Sequence, residues 1–162
     1  MAVAIKATVL SRQMPPWGAV KGFGDFRNDE GLTQEQISVI TDWVEGGTPR
    51  GNNPNAMPAP PKFDAGPQPA LPGNTIAVKA DMPLDRAVTL DGLIPGRVAK
   101  GASIQIVAAL PNGGIEPLLW LYEYRESDRH PFLFRKPLEL PAGTVIRSVP
   151  TGAELFLIPL PR

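Results

Sequence analysis

The chain has 162 residues, with 16 Lys+Arg, 16 Asp+Glu, one His and no Cys. This charge balance disfavours a nucleic acid or an anionic membrane as partner, because phosphate binding needs clustered cations. The lack of Cys and the single His exclude disulfides, zinc–thiolate sites, iron–sulfur clusters, a Cys nucleophile and any site with two imidazoles. Without a G-x-S-x-G motif, a Ser-His-Asp hydrolase is also disfavoured.

A first helix is predicted over residues 2–12. Its apolar stripe consists of Ile5, Val9 and Leu10, which fall on one helical face. The residue before a proline disfavours helical backbone, so the helix is expected to end before Pro15.

A second helix is predicted over residues 34–45. Thr33 and Gln36 have the spacing of a capping box, in which each side chain bonds the backbone N–H of the other residue. Gly46 supplies the stop signal at the C-terminal end. The apolar stripe of this helix consists of Ile37, Ile40, Trp43 and Val44.

From residue 75 onward, short β runs alternate with turns, and no helix is predicted between them. This pattern is typical of an antiparallel β-sandwich or small barrel, so the fold class of the chain is α+β. Asp91-Gly92 and Asn112-Gly113-Gly114 are turn signals, and the second predicts a hairpin. The candidate strands are 75–80, 87–91, 103–109, 117–124, 144–149 and 154–158.

The chain is therefore divided into a helical part at 1–50, a linker at 51–74 and an antiparallel β domain at 75–162. The linker contains seven prolines between Pro54 and Pro72, which favours extended backbone. No apolar run reaches 18 residues, so no membrane span is predicted. The N-terminal residues lack the charged and apolar regions of a signal peptide.

Several motifs in residues 5–61 occur in a recognisable order. They are R-Q-M-P-P-W at 12–17, G-F-G-D-F-R-N-D at 22–29, L-T-Q-E-Q-I at 32–37 and W-V-E-G-G-T-P at 43–49. This series resembles the C-terminal half of a bacterial c-type cytochrome domain, an electron-transfer family of the periplasm. The resemblance places Met14 at the distal ligand position of the haem iron and Trp17 beside the haem ring.

The chain departs from that family in one respect, because it has no C-x-x-C-H motif and its only His, His130, lies in the β region. We therefore expect a truncated or derived c-type cytochrome domain protein with no haem c or other cofactor in this chain. Alternatively, Met14 is a helix-stop residue over a small core, and the chain is a non-catalytic β-sandwich binding module with a structural helical cap.

A second resemblance covers residues 103–147. The segment 137–144, P-L-E-L-P-A-G-T, is similar to a strand, Pro-Ala-Gly turn and strand in copper type II monooxygenase-like sandwiches. Copper chemistry is not implied, because copper needs paired imidazoles or His/Met sets and no H-x-H is present.

Other polar and aromatic residues receive structural interpretations. His130 is expected to be solvated or hydrogen-bonded locally, and the charged residues around it are expected at a solvated hairpin end. Asp25, Asp29 and Glu30 are expected at turns. A group of five aromatic residues is expected to belong to the sandwich core. A sugar- or peptide-binding surface is the less favoured alternative for this aromatic group. It consists of Trp120, Tyr122, Tyr124, Phe132 and Phe134.

The helical part has too few apolar residues for a core of its own. We therefore expect it to dock on the β domain of the same chain, whereas residues 75–162 are expected to fold alone. The apolar face that would be covered consists of Met14, Trp17, Ile37, Ile40 and Trp43. A redox partner is not identified by the sequence.

Overall fold

The computed structural model describes residues 1–53, 55, 59 and 73–160, so most of the predicted linker lies outside the described residues. The helices are α1 (Ala2–Leu10) and α2 (Gln34–Glu45). The strands are β1 (Ile76–Lys79), β2 (Val88–Pro95), β3 (Ile104–Ala109), β4 (Ile115–Leu121), β5 (Phe132–Leu140), β6 (Val145–Val149) and β7 (Glu154–Pro159).

Helix α2 begins where its capping box predicts. The Gln36 backbone N–H donates to Thr33 Oγ1 at 3.2 Å, and the Thr33 N–H donates to Gln36 Oε1 at 2.8 Å. Two otherwise unpaired N–H groups of the first turn are thereby satisfied, which is why these two residues fix the start of the helix. The helix buries Ile37.

Helix α1 does not have the buried stripe that its sequence predicts. Of the three expected residues only Val9 is buried, whereas the side chains of Ile5 and Leu10 are 43% and 51% exposed. The helix contacts α2, and Lys6 forms an ion pair with Glu45 across the two helices. The prediction was wrong because the apolar side chains of α1 are spread around the helix and do not form one stripe, so its sequence does not specify which face is covered.

The strands form two antiparallel sheets, with the orders β1-β7-β2-β5 and β4-β3-β6. The chain therefore has an α+β fold whose sheets are open in the described residues and do not close into a barrel. Strand β5 is absent from the strands predicted by pattern and was implied only by the resemblance to copper monooxygenase-like sandwiches. Arg135, Lys136 and Pro137 interrupt its apolar alternation, which conceals the strand in the sequence.

The two turn signals have different outcomes. Asn112-Gly113-Gly114 joins β3 to β4 as predicted, with the Leu110 N–H donating to Gly114 O at 2.8 Å. Asp91-Gly92 is not a turn, because both residues lie inside β2 where the register shifts. At Gly92 the Phe132 carbonyl of β5 approaches so closely that a Cβ would collide with it. The glycine therefore marks a bulge with close backbone approach.

Residues 17–28, which we call the edge segment, run along one side of both sheets. Ala19 pairs with Leu121 of β4, and Phe26 pairs with Phe134 of β5. Because β4 and β5 are each the outermost strand of a sheet, these pairings cover two open edges.

The edge segment is also fixed by Arg27, whose guanidinium donates to both carboxylate oxygens of Asp91 at 2.7 Å and to Phe134 O at 2.8 Å. The hydrogen bonds from Arg27 hold the pKa of Asp91 below its usual range. Since Asp91 lies in β2, this bidentate pair connects the segment to the interior of the four-stranded sheet.

One hydrophobic core contains residues of both sheets and of the edge segment. Trp17, Ala19 and Phe26 belong to the same cluster of buried side chains as Leu90, Ile106, Leu119, Phe132 and Leu157. The helical part of the chain is therefore packed against the sheet region, as expected. No helix in the described part of the chain is long and apolar enough to cross a membrane.

Candidate functional site

A cavity of about 630 Å³ lies where the helical part meets the sheets, and we call it the junction cavity. Its volume is in the range of small-molecule binding sites. The apolar side chains that line it are Val9, Leu10, Met14, Pro15, Trp17, Ala19, Val20, Leu32 and Ile37. The charged side chains that line it are Arg12, Lys21, Glu123, Arg125 and Asp128. The cavity therefore combines an apolar wall with several charged groups.

Met14 lines this cavity just beyond the end of α1. Its side chain is 54% exposed and takes no part in the hydrophobic core. The backbone N–H of Met14 donates to Thr8 O at 3.3 Å, so the backbone at Met14 is still hydrogen-bonded to the last turn of α1. Both interpretations of Met14, as a distal haem ligand and as a helix-stop residue over a small core, stay predictions.

Trp17 also lines the cavity, but it is buried with 7% exposure. Its ring lies 4.9 Å from that of Phe132, 5.8 Å from that of Phe26 and 5.2 Å from the His130 imidazole, measured between ring centroids. Aromatic contacts of this kind stabilise a specific orientation in addition to their apolar burial. Trp17 is thus an anchor of the helical part on the sheets as well as a wall of the cavity.

The other residues of the expected docking face differ in burial. Ile37 is buried and Ile40 is half-buried, as docking requires. Trp43 is 41% exposed, and its indole Nε1–H donates to Pro49 O at 3.2 Å. The prediction that Trp43 is buried in the docking face was therefore wrong. A local hydrogen bond to the chain after α2 holds its ring near the surface.

His130 is half-buried and hydrogen-bonded locally, which is one of the two arrangements expected for it. Its ring stacks on Trp17 and lies 4.4 Å from the ring of Phe132. Nδ1 lies 3.1 Å from Pro131 O, while Nε2 is buried without a hydrogen-bond partner in the described residues. His130 is not among the residues that line the junction cavity.

Asp128, in the same charged stretch, is 1% exposed, so the prediction that these charged residues lie at a solvated hairpin end was wrong for Asp128. Its Oδ2 accepts a hydrogen bond from the Arg125 backbone N–H at 2.8 Å. Its Oδ1 is buried and has no hydrogen-bond partner within the described part of the chain. A Cβ added at Gly18 would stand 2.7 Å from the Asp128 carboxyl carbon, so the carboxylate fits here because residue 18 has no side chain.

Two cations that line the cavity already have partners. The Arg125 guanidinium donates to Arg12 O at 3.1 Å and to Ser11 O at 3.3 Å, which are carbonyls just beyond the C-terminal end of α1. A cation is favourable at this end of a helix. Lys21 Nζ lies 2.7 Å from Asp29 Oδ2. Arg125 therefore acts as a second link between the helical part and the sheets.

Asp25 of the edge segment and Asp29, which directly follows the segment, are each paired with a cation. Asp25 Oδ1 lies 3.0 Å from Arg135 Nε, and Asp29 accepts from Lys21 as described. Among the described residues, no group of three or more His, Cys, Asp or Glu side chains is arranged to hold a metal ion.

The aromatic group was interpreted mainly as sandwich core, and this is confirmed for three members. Tyr124, Phe132 and Phe134 are buried, whereas Tyr122 is 57% exposed. Trp120 is half-buried and meets Phe23 of the edge segment edge to face, with 5.8 Å between ring centroids. A second cavity of about 610 Å³ lies beside this segment.

The fit of these residues to a haem group is only partial. Met14 supplies one soft ligand next to an aromatic wall, as the c-type cytochrome resemblance implies. The second axial ligand and the thiols for covalent attachment have no counterpart here, because the only His is stacked on Trp17 outside the residues that line the cavity and the sequence contains no Cys. The residues of this chain therefore do not form a complete haem site.

Comparison with protein-family models, with curated proteins and with solved structures gives no match. The residues of the site are thus interpreted from their geometry. The sequence indicated Met14 and Trp17, and the structure brings both to one cavity. It did not indicate Asp128, because a carboxylate between charged neighbours has the pattern of a solvated loop.

Proposed function

We propose that this chain is a derived c-type cytochrome protein that supplies the methionine ligand of a haem site and contains no haem by itself. The observation that carries the proposal is the position of Met14, a residue that is 54% exposed and lies at the wall of a ligand-sized cavity. A thioether in this place is available to an iron centre that enters from outside. Electron transfer then needs a haem that is attached to another polypeptide segment.

The neighbouring residues support such a role. Trp17 is fixed by its contacts with Phe26 and Phe132, so the loop that carries Met14 starts from a rigid anchor three residues away. On the helical side, the Met14 N–H is bonded to Thr8 O. A site built on fixed elements loses less conformational entropy when it binds a partner.

The proposal is tested with a haem peptide, a short C-x-x-C-H segment with covalently attached ferric haem and one axial His. Added to the 162-residue chain, it should develop the weak far-red absorbance of a thioether bound to ferric iron, in a saturable titration. Met14→Ala should abolish this band. Met82→Ala is the matched control, because Met82 is equally exposed (61%) but lies between β1 and β2, away from the cavity.

Identical spectra for the wild type and Met14→Ala would contradict the proposal. The far-red band must also persist in Met82→Ala, since its loss there would show that the haem peptide binds methionines without selection.

A second candidate function is a non-catalytic binding module in which the helices form a structural cap. The observation that favours it is the burial of Trp17 in the core shared with both sheets. In that case the haem peptide leaves no far-red band, while substitutions at Trp17 still lower the stability of the whole chain.

A further inference from the structure

Two charged residues that line the junction cavity have left-handed backbone. Arg12 has φ 53° and follows α1, whereas Glu123 has φ 50° and follows β4. This backbone conformation is unfavourable for a residue with a side chain, and glycine adopts it without that cost. The backbone therefore does not explain why the sequence has a charged residue at each of these positions.

Arg12 shows the point most clearly, because it lies where a helix commonly ends in glycine. The Arg12 N–H donates to Val9 O at 3.0 Å, and the Gln13 N–H donates to Thr8 O at 2.8 Å. These are the two hydrogen bonds of a Schellman motif, whose left-handed residue is usually glycine. The Arg12 guanidinium donates only to Gln34 Oε1 among the described residues, at 3.5 Å.

A second guanidinium, that of Arg125, is held next to Arg12. It donates to Arg12 O at 3.1 Å and to Ser11 O at 3.3 Å, which uses two of the five N–H groups of a guanidinium. Within the described part of the chain, neither arginine nor Glu123 lies within ion-pair distance of an opposite charge. The cavity wall thus has two guanidiniums and one carboxylate without an ionic partner.

The other charged residues that line the cavity are neutralised or closed off. Lys21 Nζ lies 2.7 Å from Asp29 Oδ2. Asp128 is 1% exposed, and the carboxylate oxygen that has no hydrogen-bond partner has almost no accessible surface. A ligand in the cavity therefore meets charge at the two arginines and at Glu123.

Three apolar side chains that line the cavity remain accessible, and we call them the open apolar wall. Leu10 and Met14 belong to the helical part and are 51% and 54% exposed, and Tyr122 follows β4 and is 57% exposed. Trp17 differs from them, because its ring contacts bury it. A ligand that covers the open apolar wall is stabilised by the burial of apolar surface.

We propose that the junction cavity binds a free α-amino acid with an apolar side chain. The ligand carboxylate accepts from Arg12 and Arg125, because the planar fork of a guanidinium matches a carboxylate. The ligand ammonium donates to Glu123, and the ligand side chain lies against the open apolar wall. A purely anionic ligand is repelled by Glu123 and a purely cationic ligand by the two guanidiniums, so only a ligand with both charges pairs all three groups. This inference does not depend on haem.

The test uses three probes of similar size, L-leucine, N-acetyl-L-leucine and L-leucinamide, titrated slightly below neutral pH into the ¹⁵N-labelled full chain without haem peptide. The acetyl probe lacks the positive charge, and the amide probe lacks the negative charge. Dissociation constants are read from the backbone amides of Arg12 and Glu123. Leucine should bind about tenfold more tightly than either derivative, because each derivative loses one charge-assisted pair. Equal affinities for the three probes, or no saturable binding of leucine, would overturn the proposal.

Two variants assign the two charges of the ligand to their partners. In Glu123→Gln the affinity for leucine should fall about tenfold, while the affinity for N-acetyl-L-leucine does not fall. In Arg12→Gln the affinity for leucine should also fall, while the affinity for L-leucinamide does not fall. The same loss for all three probes in either variant would contradict the assignment.

Glu126→Gln and Arg97→Gln are the matched controls, since they make the same changes of charge at exposed residues that do not line the cavity. Both controls should retain the tenfold preference for leucine, and its loss there would show that net charge alone is responsible. If Glu123→Gln or Arg12→Gln does not fold, the three probes on the wild type and on the controls still decide the proposal. Failure of the haem-peptide titration leaves the leucine preference unaffected, because this preference is measured in the absence of haem.

Discussion

At the scale of single residues, Trp17 connects the helical part to the sheets. It is 7% exposed and contacts Phe26, His130 and Phe132. Truncation leaves a large cavity among rings that cannot collapse onto it. We predict that Trp17→Ala lowers the free energy of unfolding by roughly 3–5 kcal/mol, measured by urea denaturation of the full chain.

Trp43→Ala is the control for this prediction. Because the Trp43 ring is 41% exposed and bonded only to Pro49 O, its removal should cost no more than about 1 kcal/mol. Similar losses in the two variants would mean that Trp17 is not the principal anchor of the helical part.

At the scale of elements, the edge segment pairs with both outer strands, so its backbone conformation is important. Gly24 has φ +82°, and a Cβ there would meet Leu118 O at 2.6 Å and the Phe26 ring at 2.7 Å. We predict that Gly24→Ala lowers the free energy of unfolding by roughly 3 kcal/mol, since positive φ and steric overlap act together. Chemical denaturation measures the change.

Gly22 provides the matched comparison, because it has φ +83° and nothing within 4 Å of an added Cβ. Gly22→Ala should therefore show only the backbone penalty of about 1–2 kcal/mol. If both variants lose the same amount, the close contact between the segment and β4 is not the source of the effect.

Helix α1 shows how an element can be recognised while its packing is not. The helix forms over most of the predicted range and ends before the prolines. Only Val9 is buried, because the apolar side chains are spread around the helix and tertiary packing covers one side of it.

At the scale of the whole molecule, the edge segment changes what is expected of the β domain in isolation. The prediction that residues 75–162 fold alone remains a prediction. In such a fragment the open edges of β4 and β5 lose Ala19 and Phe26. We therefore predict that the fragment unfolds at a lower urea concentration than the full chain and self-associates through these edges.

Urea denaturation and sedimentation of fragment 75–162 beside the full chain measure both effects. A monomeric fragment that unfolds at the same midpoint urea concentration as the full chain would show that the edge segment adds nothing to the stability of the sheets.

The sequence by itself determined the features that depend on neighbours along the chain. The capping box at Thr33 and Gln36 fixed the start of α2, and the Asn112 turn fixed a hairpin. Both signals act over a few residues, so no distant partner is needed to interpret them. Met14 and Trp17 were also indicated in advance, through a resemblance carried by a short contiguous motif.

Only the tertiary structure decided the features that depend on contacts between distant residues. Asp91-Gly92 has the sequence of a turn, but the Phe132 carbonyl of β5 requires a glycine inside β2. Asp128 has the sequence of a solvated loop, but Gly18, more than 100 residues earlier, leaves the space in which its carboxylate is buried. Burial depends on which segments meet, and local sequence does not contain that information.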